Sequence, residues 1–391
     1  MVLFLAVAAG IFFYSRLGNY PILPEVPTVN LEGADPEISK VVRRAQTLVG
    51  KHPRAAPAWG QYAMVLQAHG FSDAAQICYA AAASLEPKNP LWPYLRGYLY
   101  NQSPEGPEAA LPYFRLAASR SPPDSMAQMR LADTLLETGR LDEAEVEYGK
   151  VLAVHENDEL AQLGLAKLAV ARQQYGEALK YLEPIAESPG ARNKVSGMRA
   201  RAYDRLGDRS AADRERQRLA ELPEDAVRAD DPALQIFQMA VGVDAELGKA
   251  RALLDQKQYQ ETIMALENLV HRYPESYDAW NALGSARGMV NDPVGAERAI
   301  RKSLQLSPKN AKGWLNLGNV LLWQERFQES EDPINKSIAL NPKSGPAHFA
   351  LGECRQGLGD PTGAAKAYRE AIRLAPNHRQ ARERLERLGQ P

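Results

Sequence analysis

The sequence predicts an all-α fold, a solenoid made of stacked pairs of antiparallel helices. Trp280 and Trp314 lie 34 positions apart, and the Leu-Gly pairs at 283–284, 317–318 and 351–352 recur with the same step. Self-similarity at a fixed period of this size is typical of helical repeat proteins, in which each repeat contacts only its neighbours. Such stacking lets a chain of 391 residues bury its apolar side chains without one large core. A ladder of prolines has the same step: Pro274, Pro308, Pro342 and Pro376.

The composition argues against a nucleic-acid-binding protein and against a bound cofactor. Lys and Arg total 47, Asp and Glu total 48, and no long run carries one sign of charge. A nucleic-acid interface needs a basic stripe. Cys78 and Cys354 are the two cysteines, without a CxxC or CxxCH motif that would indicate a zinc ribbon or an attached haem. We expect both to be buried small apolar side chains, too far apart for a disulfide.

Residues 1–18 are expected to be a hydrophobic membrane anchor or a signal segment. The run from Met1 to Tyr14 has no charged side chain, and Arg16 follows it. This run is short for a complete span, which needs about 20 residues, and it lacks the basic stretch that begins a signal peptide. An uncleaved transmembrane helix, a cleaved signal and a buried helix are the alternatives. The anchor hypothesis places the solenoid in the periplasm or another extracytoplasmic space, with the cytoplasmic face as the other option.

The next elements are a linker and a capping helix. Residues 19–34 contain Pro21, Pro24 and Pro27, which predicts a semi-extended linker. Asp35-Pro36 is typical of a helix N-cap followed by proline at the first helical position. The helix predicted over residues 35–52 has apolar side chains on one face. It corresponds to the second helix of a repeat without its first, and is expected to cap the array.

A first block of about five repeats is predicted over residues 56–223. Ala144, Ala178 and Ala212 recur with the 34-residue step, as do the small residues of the preceding helices. The second repeat, at about 90–124, is irregular, because its inter-helix turn reads SPEGPE and it holds one additional residue.

An insertion then shifts the phase of the repeats. The shift is visible in Ala212 and Thr262, which occupy equivalent positions of two repeats but are separated by one period plus 16 residues. The added segment covers residues 224–242 and changes from acidic to apolar. Asp231-Pro232 predicts a short helix there, and the segment is expected to act as a hinge or to fold back into a groove. Its expected apolar residues are Leu234, Phe237, Met239 and Ala240.

The second block has four repeats over residues 243–378, and a basic capping helix follows over residues 379–391. Gly284, Gly318 and Gly352 lack a Cβ atom, which lets two helices approach closely. A larger side chain there is expected to overpack the contact, at a cost of about 1–3 kcal/mol. The tryptophans supply apolar area in each repeat, and the prolines end each second helix.

These residues resemble the pattern of the tetratricopeptide repeat family over about residues 36–388. The resemblance implies a right-handed superhelix of antiparallel helix pairs with a concave groove lined by the first helix of each pair. The stretch around His69, Cys78-Tyr79 and Trp92-Pro93-Tyr94-Leu95 also resembles the leading repeats of uncharacterised exported or membrane-associated bacterial proteins. That second resemblance implies no activity.

Positions carried over from the family predict a partner-binding groove in the second block. The set mixes aromatic, apolar and amide side chains, which suits an extended or helical segment of a partner protein. Trp323 lies outside the packing positions of the repeat and is the best anchor candidate, unless it packs on the neighbouring repeat. The predicted groove residues are Asn281, Ser285, Met289, Lys312, Leu315, Asn319, Leu322, Trp323, Phe349, Glu353 and Gln356.

Two more specific readings of this groove are rejected. Lys312 and Asn319 resemble part of the clamp with which some family members grip a chaperone's C-terminal carboxylate, but Pro346 and Ala350 stand where basic residues are needed. An asparagine ladder of the kind found in O-linked N-acetylglucosamine transferases is also rejected, because Asn281 and Asn316 do not share one repeat position.

The sequence predicts no catalytic or metal site. HExxH, GxSxG, the Walker A loop and GxGxxG do not occur, and the six histidines are scattered over different repeats. The interpretation is a non-enzymatic, membrane-tethered bacterial scaffold that binds proteins in its groove. One alternative is an accessory subunit of an envelope assembly or export system for polysaccharide, pilus or cytochrome. Another is a regulatory subunit of a separate enzyme.

Overall fold

Helices and their connections make up the computed structural model, which describes residues 21–123, 125–222 and 231–389. The chain divides into two units at Ala240, and each is described by itself. Within the described residues the secondary structure is helical, without a strand. The all-α solenoid of helix pairs predicted from the 34-residue period is therefore confirmed.

The described residues of the first unit form a single helix, five helix pairs and a short helix from the insertion. These helices are α1 (Pro36–Lys51), α2 (Ala56–Ala68), α3 (Ser72–Leu85), α4 (Leu91–Asn101), α5 (Gly106–Ala118), α6 (Met126–Glu137), α7 (Leu141–Val154), α8 (Glu159–Ala171), α9 (Tyr175–Leu182), α10 (Arg192–Leu206), α11 (Arg209–Glu221) and α12 (Leu234–Met239).

Residues 241–389, the described part of the second unit, form four helix pairs and a final helix. These helices are α13 (Val243–Asp255), α14 (Tyr259–Arg272), α15 (Tyr277–Met289), α16 (Pro293–Leu306), α17 (Ala311–Trp323), α18 (Phe327–Leu340), α19 (Gly345–Gly357), α20 (Pro361–Leu374) and α21 (Arg379–Arg387).

The start of α1 follows from its sequence. The Asp35 carboxylate accepts a hydrogen bond of 2.8 Å from the backbone N–H of Glu37, and Pro36 occupies the first helical position. This pairing satisfies one of the free N–H groups of the first turn and adds a negative charge at the positive end of the helix. The predicted N-cap is confirmed.

Prolines and tryptophans of successive repeats are joined by a recurring hydrogen bond. The indole N–H of Trp280 donates to the carbonyl of Pro274 at 2.8 Å, and Trp314 donates to Pro308 at 2.7 Å. Each bond links a first helix to the proline two residues after the end of the preceding second helix. Both indoles are only half-buried, so the tryptophans fix the turn as well as supplying apolar contact.

The turn inside each helix pair needs one residue in the left-handed backbone region. Gly139 takes it between α6 and α7 with a φ of 75°, and Gln173 takes it between α8 and α9 with a φ of 60°. A non-glycine residue adopts this conformation at a cost of about 1–2 kcal/mol. The repeat geometry imposes this conformation on Gln173, although nothing in its side chain favours it.

The close approach of helices at the predicted glycines is confirmed. A Cβ atom added to Gly284 would lie 2.4 Å from Ile300 Cγ1, and one added to Gly352 would lie 2.3 Å from the ring of Tyr368. Cys78 and Cys354 are both buried free thiols, as predicted, and burial raises the pKa of Cys78 to about 12.

The proline-containing segment before α1 packs against the first unit. The carbonyl of Pro27 accepts hydrogen bonds from Tyr62 Oη at 2.8 Å and from Gln46 Nε2 at 3.1 Å. Leu23 and Val26 contact the apolar core of this unit. The segment predicted as a linker is extended, and its side chains and backbone are bound to α1 and α2.

No helix in the described ranges combines the length and apolar character needed to cross a membrane. Residues 1–18, which the sequence predicts to be an anchor, lie outside the residues that the structure describes.

Candidate functional site

The first helices of neighbouring pairs share one face within each unit. Each packs on its own second helix and on the second helix of the pair before it. First helices also contact one another across pairs: α6 contacts α8, α13 contacts α15, α15 contacts α17, and α17 contacts α19. We call this surface the first-helix face. The predicted groove residues all lie on first helices of the second unit, α15, α17 and α19.

Exposed side chains on this face of the second unit include an aromatic and an apolar group. The Trp323 side chain at the end of α17 is 45% exposed, and Met289 at the end of α15 is also exposed. Lys312, Asn319 and Gln356 are exposed polar members of the predicted set. The structure thus leaves a large ring and several amide and amino groups of this unit in solvent, a combination suited to protein recognition.

Other predicted groove residues are already engaged within the protein. Asn281 is buried, and its side-chain oxygen accepts a hydrogen bond of 3.1 Å from Asn316 Nδ2. The same amide group lies 3.2 Å from the hydroxyl of Ser285. Asn281 and Asn316 occupy different repeat positions, yet the stacking of α15 on α17 brings them together. This polar cluster connects two repeats, and a ligand must break it to use either amide fully.

The remaining predicted groove residues pack into small clusters. Leu315 and Leu322 contact an apolar cluster around Ile334 and Cys354. Phe349 lies against Tyr368, with ring centroids 5.7 Å apart.

The last repeat has a polar cluster that holds two predicted groove residues. Tyr368 Oη donates to Glu353 at 2.5 Å and lies 2.9 Å from the side-chain oxygen of Gln356. Arg384 Nη2 donates to Glu353 at 3.0 Å from the final helix. Burial, followed by the bond to the carboxylate, raises the pKa of Tyr368 far above its usual range. These groups are therefore fixed by each other, which favours a role in closing the array.

Part of the first-helix face of the first unit is covered by residues 231–240 of the insertion. The helix α12 contacts α2, and Ala233 and Ile236 belong to the buried apolar core of this unit. Residues 231–240, the described part of the insertion in this unit, fold back onto the repeats. The expected apolar face is partly wrong, because Phe237 is 57% exposed and Ile236 is buried in its place.

A carboxylate anchors this segment. Asp231 accepts hydrogen bonds from Tyr94 Oη at 2.6 Å and from Arg130 Nη2 at 2.5 Å. Its oxygen also accepts from the backbone N–H of Ala233 at 2.9 Å. Burial acts to raise the pKa of the Asp231 carboxyl, but the bonds from Tyr94 and Arg130 outweigh it and hold the pKa below its usual range. The carboxylate is therefore charged and bound at neutral pH.

Tyr94 and Arg130 were missing from the predicted site. Tyr94 lies on α4 and Arg130 on α6, and their partner follows them by more than 100 positions. The repeat pattern gives no sign of such a contact. The available signals were the phase break and the helix start at Asp231-Pro232.

Nothing in the described ranges resembles a metal site: no cluster of three or more His, Cys, Asp or Glu side chains is positioned to hold an ion. The raised pKa values of Tyr79 and Tyr148 have burial as their main cause, which is an ordinary consequence of core position.

Comparison with known sequences gives a consistent family. The family description "Tetratricopeptide repeat" matches residues 61–125, 107–168, 247–287 and 345–378. These matches fall in both units, on the helix pairs described above.

Similarity to individual proteins is partial. The mouse Protein O-mannosyl-transferase TMTC1 is 25% identical over 149 residues, which are 37% of this chain and 16% of the mouse protein. The mouse BBSome complex member BBS4 is 30% identical over 101 residues, covering 26% of this chain and 19% of that protein. The chain thus matches less than a fifth of the length of these relatives.

A solved structure is similar over part of the chain. MamA from Desulfovibrio magneticus RS-1 is 18% identical, with a TM-score of 0.35, over 38% of this chain and 83% of that one. The repeat period, the helix pairs and the matched family together identify the chain as a tetratricopeptide repeat protein.

Proposed function

We propose that the protein is a non-enzymatic interaction scaffold that binds an extended or helical segment of a partner on the first-helix face of its second unit. Tetratricopeptide repeats serve in protein–protein interaction, and the matched repeats support that general role. The choice of surface is our inference from the side chains that this unit leaves exposed.

The exposed indole of Trp323 carries the proposal. A tryptophan side chain that is 45% exposed leaves a large apolar area in water. Aromatic side chains of this kind are enriched among the residues that dominate binding energy. Asn319 lies one turn before Trp323 on α17, where its exposed amide can bond the backbone of a bound segment.

The test is site-specific crosslinking with the full chain. A photoreactive amino acid replaces Trp323 in one variant and Leu340 in the other. Leu340 is a matched control, because it is 44% exposed but lies on the second helix α18 of the same repeat. We expect a crosslinked partner at position 323 and none at position 340.

The double variant Trp323→Ala with Asn319→Ala should lose this partner without a change in helical content or melting. Unfolding of the double variant would instead identify these residues as core. Equal crosslinking at both positions would reject the assigned face.

We further propose that residues 1–18 tether the protein to a membrane and that the repeats face an extracytoplasmic space. The uncharged run from Met1 to Tyr14 supports this. Deleting residues 1–18 should move the protein from the membrane fraction to the soluble fraction. Retention of the shortened protein on membranes would reject the tether.

A further inference from the structure

A basic and hydroxylic pair on the first unit binds a carboxylate with the geometry of a ligand site. Tyr94 and Arg130 reach the two oxygens of Asp231 from two different helices, at 2.6 and 2.5 Å. Arg130 Nε also donates to Tyr94 Oη at 3.3 Å, so the two donors are held together. Its guanidinium lies 5.8 Å from the ring centroid of Tyr98, one turn along α4. Charge-assisted bonds of this type are short and directional, which suits specific recognition of a carboxylate.

An apolar contact lies next to the carboxylate contact. Five positions after Asp231, the Ile236 side chain is 5% exposed and packs on the core of the first unit. The helix α12 has six residues, and a helix of that length is not stable by itself in water. Its conformation therefore depends on the surface beneath it. Together the two contacts describe what the surface accepts: a carboxylate, then one helical turn with a branched apolar side chain.

The covering segment is separate from the repeats it covers. It lies outside every helix pair, since α2 to α7 are complete pairs without it. Its described contacts with these repeats are the ion pair with Arg130, the hydrogen bond from Tyr94, a backbone hydrogen bond to His69 and the apolar side chains of Ala233, Ile236 and Met239. The Arg130 side chain remains 34% exposed in the bound state, so water reaches the ion pair. Segments with few buried contacts open locally, at a lower free energy than the whole unit needs to unfold.

We propose that Tyr94 and Arg130 form a second peptide-binding site, which segment Asp231–Ala240 covers in the free protein and a partner segment of the same chemistry occupies after displacing it. The partner segment has an Asp or Glu carboxylate followed by a short apolar helix. The inference rests on the proposed function for the scaffold role. It adds a second binding surface, which the covering segment regulates. Because the covering segment belongs to the same chain, its effective concentration is high, of the order of millimolar. A partner therefore needs high affinity, or attachment elsewhere on the protein, to replace it.

The test uses a fluorescent peptide with the sequence of residues 231–241 and the full chain. An opened variant carries Asp231→Asn and Ile236→Ser, which weaken the covering segment and leave the site intact. In anisotropy titrations we expect the opened variant to bind the peptide at least tenfold more tightly than the original chain. Asn in place of the peptide's Asp should weaken binding about tenfold, and Arg130→Gln added to the opened variant should do the same. The control Arg120→Gln, outside the site, should leave binding unchanged.

Two results would overturn the inference. The first is an opened variant that keeps its helical content and melting temperature but binds neither the original peptide nor the peptide with Asn in place of Asp. The second comes from native-state hydrogen exchange of the original chain. If the α12 amides exchange only when those of α2 and α4 also exchange, the segment opens only with the repeats and is a permanent part of the fold. Exchange of α12 ahead of both helices supports displacement. Crosslinking at position 323 does not depend on this site. If a partner crosslinks there but the peptide test fails, this inference is rejected and the proposed function is not.

Discussion

Replacing Gly284 with alanine tests whether close helix contact sets the stability of a repeat. The added Cβ atom would lie 2.4 Å from Ile300 Cγ1 and 3.1 Å from the carbonyl oxygen of Ala296. The first clash involves a side chain that fills the contact, and the second involves backbone that moves only with the helix. Overpacking of this kind costs about 1–3 kcal/mol. Alanine also favours a helix over glycine by about 1 kcal/mol, which partly offsets that cost.

Gly288→Ala is the matched control on the same helix. Gly288 lies one turn after Gly284 in α15, and a Cβ atom there meets nothing within 4 Å. The helix-propensity gain is similar in both variants, so their difference isolates the packing cost. We expect Gly284→Ala to be less stable than Gly288→Ala by about 1–3 kcal/mol. Native-state hydrogen exchange in α15 and α16 measures that difference locally, without assuming that the protein unfolds in one step. Equal protection in the two variants would refute the packing argument.

Two further predictions concern polar groups in each unit. Asn316→Ala should destabilise the second unit by about 1–3 kcal/mol in urea unfolding, because buried Asn281 loses its hydrogen-bond donor. The control Asn319→Ala changes an exposed side chain of the same helix and should alter stability by less than about 0.5 kcal/mol. Similar losses of stability in the two variants would contradict the role of the polar cluster. Burial lowers the pKa of His69, despite a hydrogen bond with the Met239 backbone and the charge of Asp35, so the imidazole of the unfolded chain takes up a proton at a higher pH than that of the folded first unit. The contribution of His69 to the stability of the first unit should therefore be complete at neutral pH and be lost as pH falls below about 6.5. Urea unfolding of the original chain and of His69→Gln, above and below that pH, measures this loss; an equal loss of stability in both proteins would exclude His69 as its source.

Packing residues of this protein were predictable, because each serves contacts inside one repeat or between two neighbours. Gly284 and Gly352 lie against the second helices of their own pairs, as their spacing indicated. Asp35 caps α1 through a backbone group two residues away. Such contacts depend on sequence separations that the helical period and the repeat period define.

The groove was less predictable, because the same family position can be free or engaged. Trp323 is exposed, whereas Asn281, at another predicted groove position, is buried and bonded to Asn316. The choice depends on the side chain that the next repeat presents. A position rule copied from the family contains no information about that neighbour.

The sequence by itself determined the helix pairs, their order, the small residues at their contacts and the place where the phase breaks. These follow from local periodicity and from interactions between adjacent repeats. Only the tertiary structure decided where the insertion binds. The Asp231 carboxylate meets Tyr94 across 137 positions of chain. A contact at that separation depends on the shape and charge of a surface that exists only after the repeats have stacked.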